Sequence, residues 1–142
     1  MRLLKPFFLW LYAASDRVNR ENILALIRRA GAETPGRKLL DLGCDDGAWT
    51  VTLGQAFGAT ELHGVELVAA QAAKAEGRGV RAHVLDLNQP LTALPDASFD
   101  LIHANQVIEH VTSVDGFLSE IHRLLRPGGR AVISTENGSS NE

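Results

Sequence analysis

The sequence lacks the features that a disulfide-stapled, membrane-spanning or nucleic-acid-binding protein needs. Its single cysteine among 142 residues, Cys44, excludes a disulfide within the chain and favours a reducing, cytoplasmic setting. No pair of basic residues extends into a run, and the formal net charge is −3, so we expect no nucleic acid partner. Internal repeats and low-complexity tracts are absent too, and the composition is that of one globular domain.

The apolar segment nearest the amino terminus, residues 3–14, is too short to span a bilayer and is interrupted by Lys5 and Pro6. We therefore expect no stable membrane insertion. A signal peptide or a membrane-surface helix would show a similar pattern, but we favour an amphipathic helix that covers the domain. Its apolar residues recur at helical spacing: Leu4, Phe7, Phe8 and Leu11.

From Asn22 onward, short apolar runs alternate with segments of helical periodicity, which is the pattern of consecutive β-α units. The apolar runs predict five strands, at residues 38–42, 61–66, 80–85, 99–104 and 130–135. The helical segments are one that stops at Gly31, then 48–57, 68–76, a short turn at 107–111, and 115–126. Nearly continuous apolar strands are typical of sheets covered on both faces, so we predict a doubly wound, mostly parallel α/β sheet of the Rossmann-like class. A single domain would span residues 1–142, with an N-terminal helical segment at 1–31, a core at 38–135 and a tail at 136–142.

Ligands of doubly wound sheets bind at the carboxyl ends of the strands, where this sequence places glycine and acidic residues. The first strand leads through a glycine-punctuated turn, residues 41–47, directly into a helix whose N-terminus suits a carboxylate or phosphate. The turn is not the G-x-G-x-x-G dinucleotide pattern, because Asp45 stands at a required glycine and Asp46 adds a second charge that repels a pyrophosphate. A cationic ligand with one carboxylate fits better, which disfavours a nicotinamide-dependent oxidoreductase.

Two further acids end the next two strands. Glu66 stands at about the distance along the chain from Asp41 at which an acidic residue binds ribose hydroxyls. Asp86 can accept a hydrogen bond from an exocyclic amine, and Leu87 can lie against a flat ring. Each acid alone has an ordinary structural explanation, but three at successive strand ends predict one acidic crevice.

Six segments, in this order, resemble the motifs of class I S-adenosylmethionine-dependent methyltransferases. They are residues 39–47 (LLDLGCDDG), 64–66 (GVE), 86–88 (DLN), 99–102 (FDLI), 107–111 (VIEHV) and 124–129 (LLRPGG). The last two resemble the branch that methylates small molecules such as quinone precursors. The resemblance implies S-adenosylmethionine as cofactor, a small-molecule acceptor, and methyl transfer by direct displacement, in which the protein chiefly aligns the reactants.

The resemblance assigns the methionyl end of the cofactor to the first motif. Asp41 and the loop from Gly43 to Gly47 would hold the amino and carboxylate groups, and Asn105 would lie near the methyl group. Cys44, inside the loop, is counted among the cofactor-binding residues and not as a nucleophile, because no His or second Cys accompanies it in the sequence.

The resemblance assigns the adenosine end to the next two motifs. Glu66 would bind the ribose hydroxyls and Asp86 the adenine amine, while Leu67 and Leu87 would cover the faces of the adenine ring. His110, with Glu109 beside it, is the best candidate for a catalytic base, although an exposed helix residue would look the same. We predict no metal site, because the other histidines lack ligand spacing: His63, His83, His103 and His122.

The sequence departs from the family pattern at two places. Asp45 replaces the usual glycine, and because Asp tolerates positive φ we expect the turn to survive. The family's last helix and antiparallel strand pair are missing after residue 135, so residues 131–133 would form an open sheet edge. We therefore expect either a homodimer through this edge or a truncated fragment. A fragment without an acceptor site would be a non-catalytic cofactor-binding module.

Overall fold

The computed structural model describes residues 8–13 and 16–135, with side chains described from residue 20 onward. The strands are β1 (Phe8–Ala13), β2 (Lys38–Leu42), β3 (Glu61–Val65), β4 (Arg81–His83), β5 (Phe99–Asn105) and β6 (Leu125–Thr135). The helices are α1 (Asp16–Glu33), α2 (Ala48–Phe57), α3 (Ala69–Gly77) and α4 (Val114–Leu124), with a short 3₁₀ helix at Ile108–His110. All pairings are parallel, in the order β1-β6-β5-β2-β3-β4. The predicted parallel α/β fold is confirmed, and all five predicted strands belong to the sheet.

The direction in which the chain crosses the sheet reverses between β2 and β5. From β2 the chain moves outward through β3 to β4, and then returns to β5 and β6 on the other side. A reversal of this kind leaves a crevice at the carboxyl ends of the two central strands. The turn after β2 and the segment after β5 meet there, since a Cβ added to Gly43 would lie 3.1 Å from Val107 Cγ2.

Two apolar cores cover the two faces of the sheet, because alternate residues of the buried strands point to opposite sides. On one face α1 and α2 pack over the strands, with Ile23, Ile27, Leu39, Leu53, Leu101 and Val132 fully buried. On the other face α4 packs over Leu40, Ile102, Ile121, Leu124 and Ile133. The helix α2, which follows β2, therefore packs on a buried apolar core beside the crevice.

The prediction of an N-terminal amphipathic helix over residues 3–14 is wrong for residues 8–13, which form β1; the rest of that segment lies outside the described residues. Strand β1 pairs with β6 along its whole length, from Phe8 opposite Arg130 to Ala13 opposite Thr135. Aromatic residues favour strands, and the edge of β6 offers unpaired backbone groups with which an added strand can pair. The predicted open edge is therefore also wrong. The hydrogen-bonding groups through which the expected homodimer would form are already paired with β1.

Several element bounds also differ from the prediction. The helix α1 continues past Gly31 to Glu33, because this glycine serves close packing and not helix termination: a Cβ there would overlap the carbonyl oxygen of Phe57 in α2. Strand β4 is shorter than residues 80–85, and α4 gives way to β6 at Leu125 instead of continuing to residue 126. By contrast, α2 has the predicted bounds.

Candidate functional site

The turn after β2 is fixed to β3 by its own backbone. Gly43 N and Cys44 N both donate to Val65 O, at 2.8 and 3.0 Å. Asp45 has φ 51°, which agrees with the expectation that Asp survives at this position of the turn. Its backbone N donates to Glu66 Oε1 at 3.1 Å, so the first two acidic strand ends are joined directly.

Asp41 lies buried beneath this turn, and both of its carboxylate oxygens have partners. Oδ2 accepts from Thr50 Oγ1 at 2.6 Å, and Oδ1 lies 2.8 Å from Nδ1 of His103. Asp41 and His103 are register partners on β2 and β5, and the His103 side chain is 1% exposed. Its Nε2 has no hydrogen-bond partner among the described residues.

The first of two cavities in the crevice, which we call the polar cavity, has a volume of about 350 Å³. It brings together four of the predicted cofactor-binding residues: Asp41, Gly43, Cys44 and Asn105. Sequence reasoning missed five other lining residues: Arg20, Ala48, Trp49, Thr52 and His103. The Arg20 guanidinium lies 5.0 Å from the centroid of the Trp49 ring, and Trp49 Nε1 is a buried donor without a partner in the part of the chain that the structure describes.

Cys44 fills the space between the polar cavity and β3. A Cβ added to Gly64 would overlap its Sγ, so the thiol and that glycine fit against each other. Burial raises the pKa of the Cys44 thiol to about 12, and the charges of Asp41 and Glu66 add to the increase. The thiol therefore stays protonated at neutral pH and does not supply a nucleophile.

The second cavity, which we call the apolar cavity, has a volume of about 200 Å³ and shares Gly43 with the first. Five other predicted residues line it: Glu66, Leu67, Asp86, Leu87 and His110. The second Glu66 oxygen, Oε2, accepts from Val68 N at 2.8 Å. Asp86 Oδ1 accepts from Asn88 N at 2.9 Å. Apolar lining residues that were not predicted complete the wall, namely Val65, Leu85, Val107 and Val111.

Two predicted residues line neither cavity. Gly47, with φ 80°, lies against α3, where an added Cβ would come within 2.9 Å of Ala75. Glu109 Oε2 accepts from Thr135 Oγ1 at 2.9 Å. Its other oxygen lies 3.9 Å from Nε2 of His110, whose side chain is 78% exposed. Glu109 thus contacts the neighbouring imidazole and β6 but does not reach into the crevice.

Neither a metal cluster nor a membrane span is found in residues 8–13 and 16–135. No group of three or more His, Cys, Asp or Glu side chains described there could hold a metal ion. None of the described helices combines the length and the apolar character that crossing a bilayer requires.

The sequence matches the family described as "Methyltransferase domain" over residues 14–142. A Mycolicibacterium smegmatis protein named as an S-adenosylmethionine-dependent methyltransferase is 34% identical, over 78% of this chain and 42% of its own length. The ubiquinone biosynthesis O-methyltransferase of Ruegeria pomeroyi is 31% identical, over 94% of this chain and 55% of its own length. The chain thus spans about half the length of these relatives.

Solved structures give the same relationship. The geranyl diphosphate C-methyltransferase of Streptomyces coelicolor, crystallised with Mg²⁺, geranyl diphosphate and S-adenosyl-L-homocysteine, superposes with a TM-score of 0.67 and 26% identity. The match covers 83% of this chain and 47% of that one. With the motif order, the parallel sheet and the matched family in agreement, the chain belongs to the class I S-adenosylmethionine-dependent methyltransferases, and S-adenosylmethionine is its cofactor.

Proposed function

We propose that this chain binds S-adenosylmethionine across the polar and apolar cavities and transfers its methyl group to a small-molecule acceptor by direct displacement. The observation that carries the proposal is the junction of the two cavities at Gly43. The polar cavity offers charged groups and unpartnered polar atoms. The apolar cavity offers leucine side chains and two carboxylates. A ligand with an amino-acid end and a nucleoside end matches this division.

The polar cavity suits the amino-acid end. Trp49 Nε1 is a buried donor without a partner among the described residues, and Arg20 stacks on the same indole. Both are donors that a carboxylate would satisfy. Asp45 and Asp46 also line this cavity, and their negative charges favour a ligand that carries a sulfonium and an ammonium. We assign Asn105, at the end of β5, to the methyl-bearing region.

The apolar cavity suits the nucleoside end. Each Glu66 oxygen accepts one backbone N–H, and a carboxylate has about four lone-pair sites, so each oxygen keeps one for a ribose hydroxyl. Asp86 uses Oδ1 for Asn88 N and keeps Oδ2 for the adenine amine. Leu67, which is 65% exposed, and Leu87 supply apolar surface for the ring.

The bound cofactor supplies a methyl group that the sulfonium already activates, so the chain has to align the acceptor and exclude water. We propose that the two carboxylates and the Gly43 turn fix the ligand's direction, while Leu67 and Leu87 keep water from its ring. His110 is the proposed base for an acceptor that carries a proton, because its side chain is 78% exposed beside the apolar cavity and an acceptor can reach it from solvent. Glu109, 3.9 Å from its ring, would stabilise the resulting charge.

The proposed acceptor is a phenol of the quinone-precursor type. The Ruegeria pomeroyi relative is named as an O-methyltransferase of ubiquinone biosynthesis, and this name supports the proposed class. The Streptomyces coelicolor neighbour, which was crystallised with geranyl diphosphate, supports a small acceptor more generally. Both relatives are about twice as long as the matched region, so the acceptor class is proposed for this chain and is tested first with phenols.

Calorimetric titration with S-adenosylhomocysteine tests the binding half of the proposal. We expect Glu66→Ala to weaken the affinity about 100-fold or more, because its carboxylate would accept two hydrogen bonds and bonds to a charged group are each worth about 1.5–3 kcal/mol. Glu76→Ala is the matched control, since Glu76 Oε1 also accepts from a backbone N–H, that of Ala82 at 2.7 Å, but lines neither cavity. Unchanged affinity in Glu66→Ala would refute the ribose assignment. A wild-type chain that does not bind S-adenosylhomocysteine would refute the proposed function.

Methyl transfer to a panel of phenols tests the chemical half. We expect His110→Ala to bind S-adenosylhomocysteine as the wild type does but to transfer the methyl group more slowly, since the imidazole acts on the acceptor. Loss of binding in this variant would contradict its role as a base. Cofactor binding without transfer to any acceptor would instead favour a non-catalytic binding module.

A further inference from the structure

The buried pair of Asp41 and His103 points to a ligand-binding residue that the motif resemblance does not contain. The resemblance gives the methionyl amino group to Asp41, but each oxygen of Asp41 already accepts one hydrogen bond, from Thr50 and from His103, so its carboxylate contains no unpartnered atom. His103 lines the same polar cavity and keeps Nε2 without a partner among the described residues. Within this buried pair, the polar atom without a partner among the described residues is therefore on the histidine.

We propose that Nε2 of His103 accepts the hydrogen bond from the methionyl ammonium, and that Asp41 is a positioning residue that acts through His103. The inference rests on the proposed function, since it concerns the amino-acid end of the same cofactor. The residue that binds the ammonium would then be His103 on β5, and not Asp41 of the first motif on β2.

Asp41 determines which ring nitrogen carries the proton. A carboxylate accepts hydrogen bonds, so the 2.8 Å contact with Asp41 Oδ1 requires the proton on Nδ1 of His103. In the neutral ring the other nitrogen, Nε2, then presents a lone pair. A buried acceptor without a partner costs free energy, and a donor on the ligand removes that cost. The ammonium is the strongest donor at the amino-acid end of the cofactor.

The charges around the ring favour a cation at this place. Asp41 from β2 and Asp45 and Asp46 from the turn line the polar cavity, while Arg20 from α1 is the one Lys or Arg among its described lining residues. Cys44 beside them stays a neutral thiol, because burial raises its pKa to about 12. These charges attract the ammonium of the ligand toward the three aspartates, and its carboxylate can then bind Arg20 and Trp49.

A comparison of two ligands measures how much the ammonium contributes to binding. S-adenosylhomocysteine and its deaminated analogue share the carboxylate, the thioether and the adenosine, so the ratio of their dissociation constants reports on the amino group alone. Calorimetric titration of the wild-type chain should give S-adenosylhomocysteine the higher affinity, by about 10- to 100-fold. This ratio is a binding measurement and needs no acceptor.

Substitutions at the pair test which residue is responsible. In His103→Asn the shorter amide can still donate to Asp41 but has no group at the position of Nε2, so the ratio should fall to near one while the analogue keeps its affinity. In His103→Gln the amide oxygen can reach that position and should restore part of the ratio. Asp41→Asn can donate to Nδ1 and so move the ring proton to Nε2, which should also reduce the ratio although the imidazole is present.

An equal loss of affinity for both ligands in His103→Asn, or a wild-type ratio near one, would overturn this inference alone. A wild-type chain that binds neither ligand would overturn the proposed function instead.

Discussion

Replacing Gly31 by alanine tests how closely α1 and α2 pack beside the polar cavity. A Cβ at this position would overlap the carbonyl oxygen of Phe57 and lie 3.0 Å from its carbonyl carbon. Both are backbone atoms at the end of α2, so no side-chain rotation relieves the contact. The helix α1, which carries Arg20 to the cavity, has to move away from α2 to accept the methyl group.

Two effects of opposite sign determine how much Gly31→Ala changes the free energy of unfolding. Alanine is favoured over glycine inside a helix by about 1 kcal/mol. Overpacking costs about 1–3 kcal/mol, and a backbone neighbour that cannot rotate away places the cost at the upper end. We therefore expect Gly31→Ala to lower the free energy of unfolding by about 1–2 kcal/mol, which corresponds to a melting temperature lower by roughly 3–8 °C for a chain of this size.

Urea unfolding followed by circular dichroism measures this change, with Gly77→Ala as the matched control. Gly77 is also helical, in α3, but no atom lies within 4 Å of an added Cβ. The control should raise the free energy of unfolding by up to about 1 kcal/mol. A Gly31→Ala variant that is as stable as the control variant would show that α1 and α2 do not approach as closely as described.

Two other predictions concern stability. Burial lowers the pKa of both His63 and His83 in the folded chain, so below about pH 6.5 the unfolded chain takes up protons first and the free energy of unfolding falls. Urea unfolding at several pH values should show this loss in the wild type and in the exposed-site control His110→Gln, and less of it in His63→Gln; an identical slope in all three would contradict the assignment. Arg123 donates to the carbonyl oxygens of Leu91 and Leu94, each at 2.9 Å, and holds the loop before β5 against α4. Arg123→Met should cost about 1–3 kcal/mol and speed hydrogen exchange at the Leu94 amide, whereas Arg29→Met, on the surface of α1, should do neither; unchanged exchange in Arg123→Met would show that the loop does not depend on these bonds.

The elements that sequence reasoning located well are those whose ends are set locally. Gly47 and Gly58 both adopt left-handed φ at the two ends of α2, and a glycine at each position gave the correct bounds. Phe8–Ala13 could not be assigned in this way, because its conformation depends on a partner strand at the far end of the sequence. Gly31 was read as a helix end for the same reason: a local stop signal and a site of close helix packing look alike until the neighbour is known.

The same distinction between local and long-range signals applies to the residues of the candidate site. Acids and glycines directly after strands predicted where both cavities lie, because the carboxyl ends of parallel strands meet at one edge. His103 was passed over, since it lies inside an apolar strand and only the register of β5 against β2 places it beside Asp41. A polar residue at the same depth in two neighbouring strands is the signal that could have found it.

The pairing of β1 with β6 has a consequence for synthesis on the ribosome. Residues 8–13 are made early, yet their partners, residues 130–135, emerge only after every other strand of the sheet. Until then the segment FLWLYA stays without its native neighbour, and its apolar character makes it a target for chaperones or for another nascent chain. Pairing of β1 with β6 is thus a late, long-range event, and the time needed to translate residues 14–135 sets how long this segment stays unpaired.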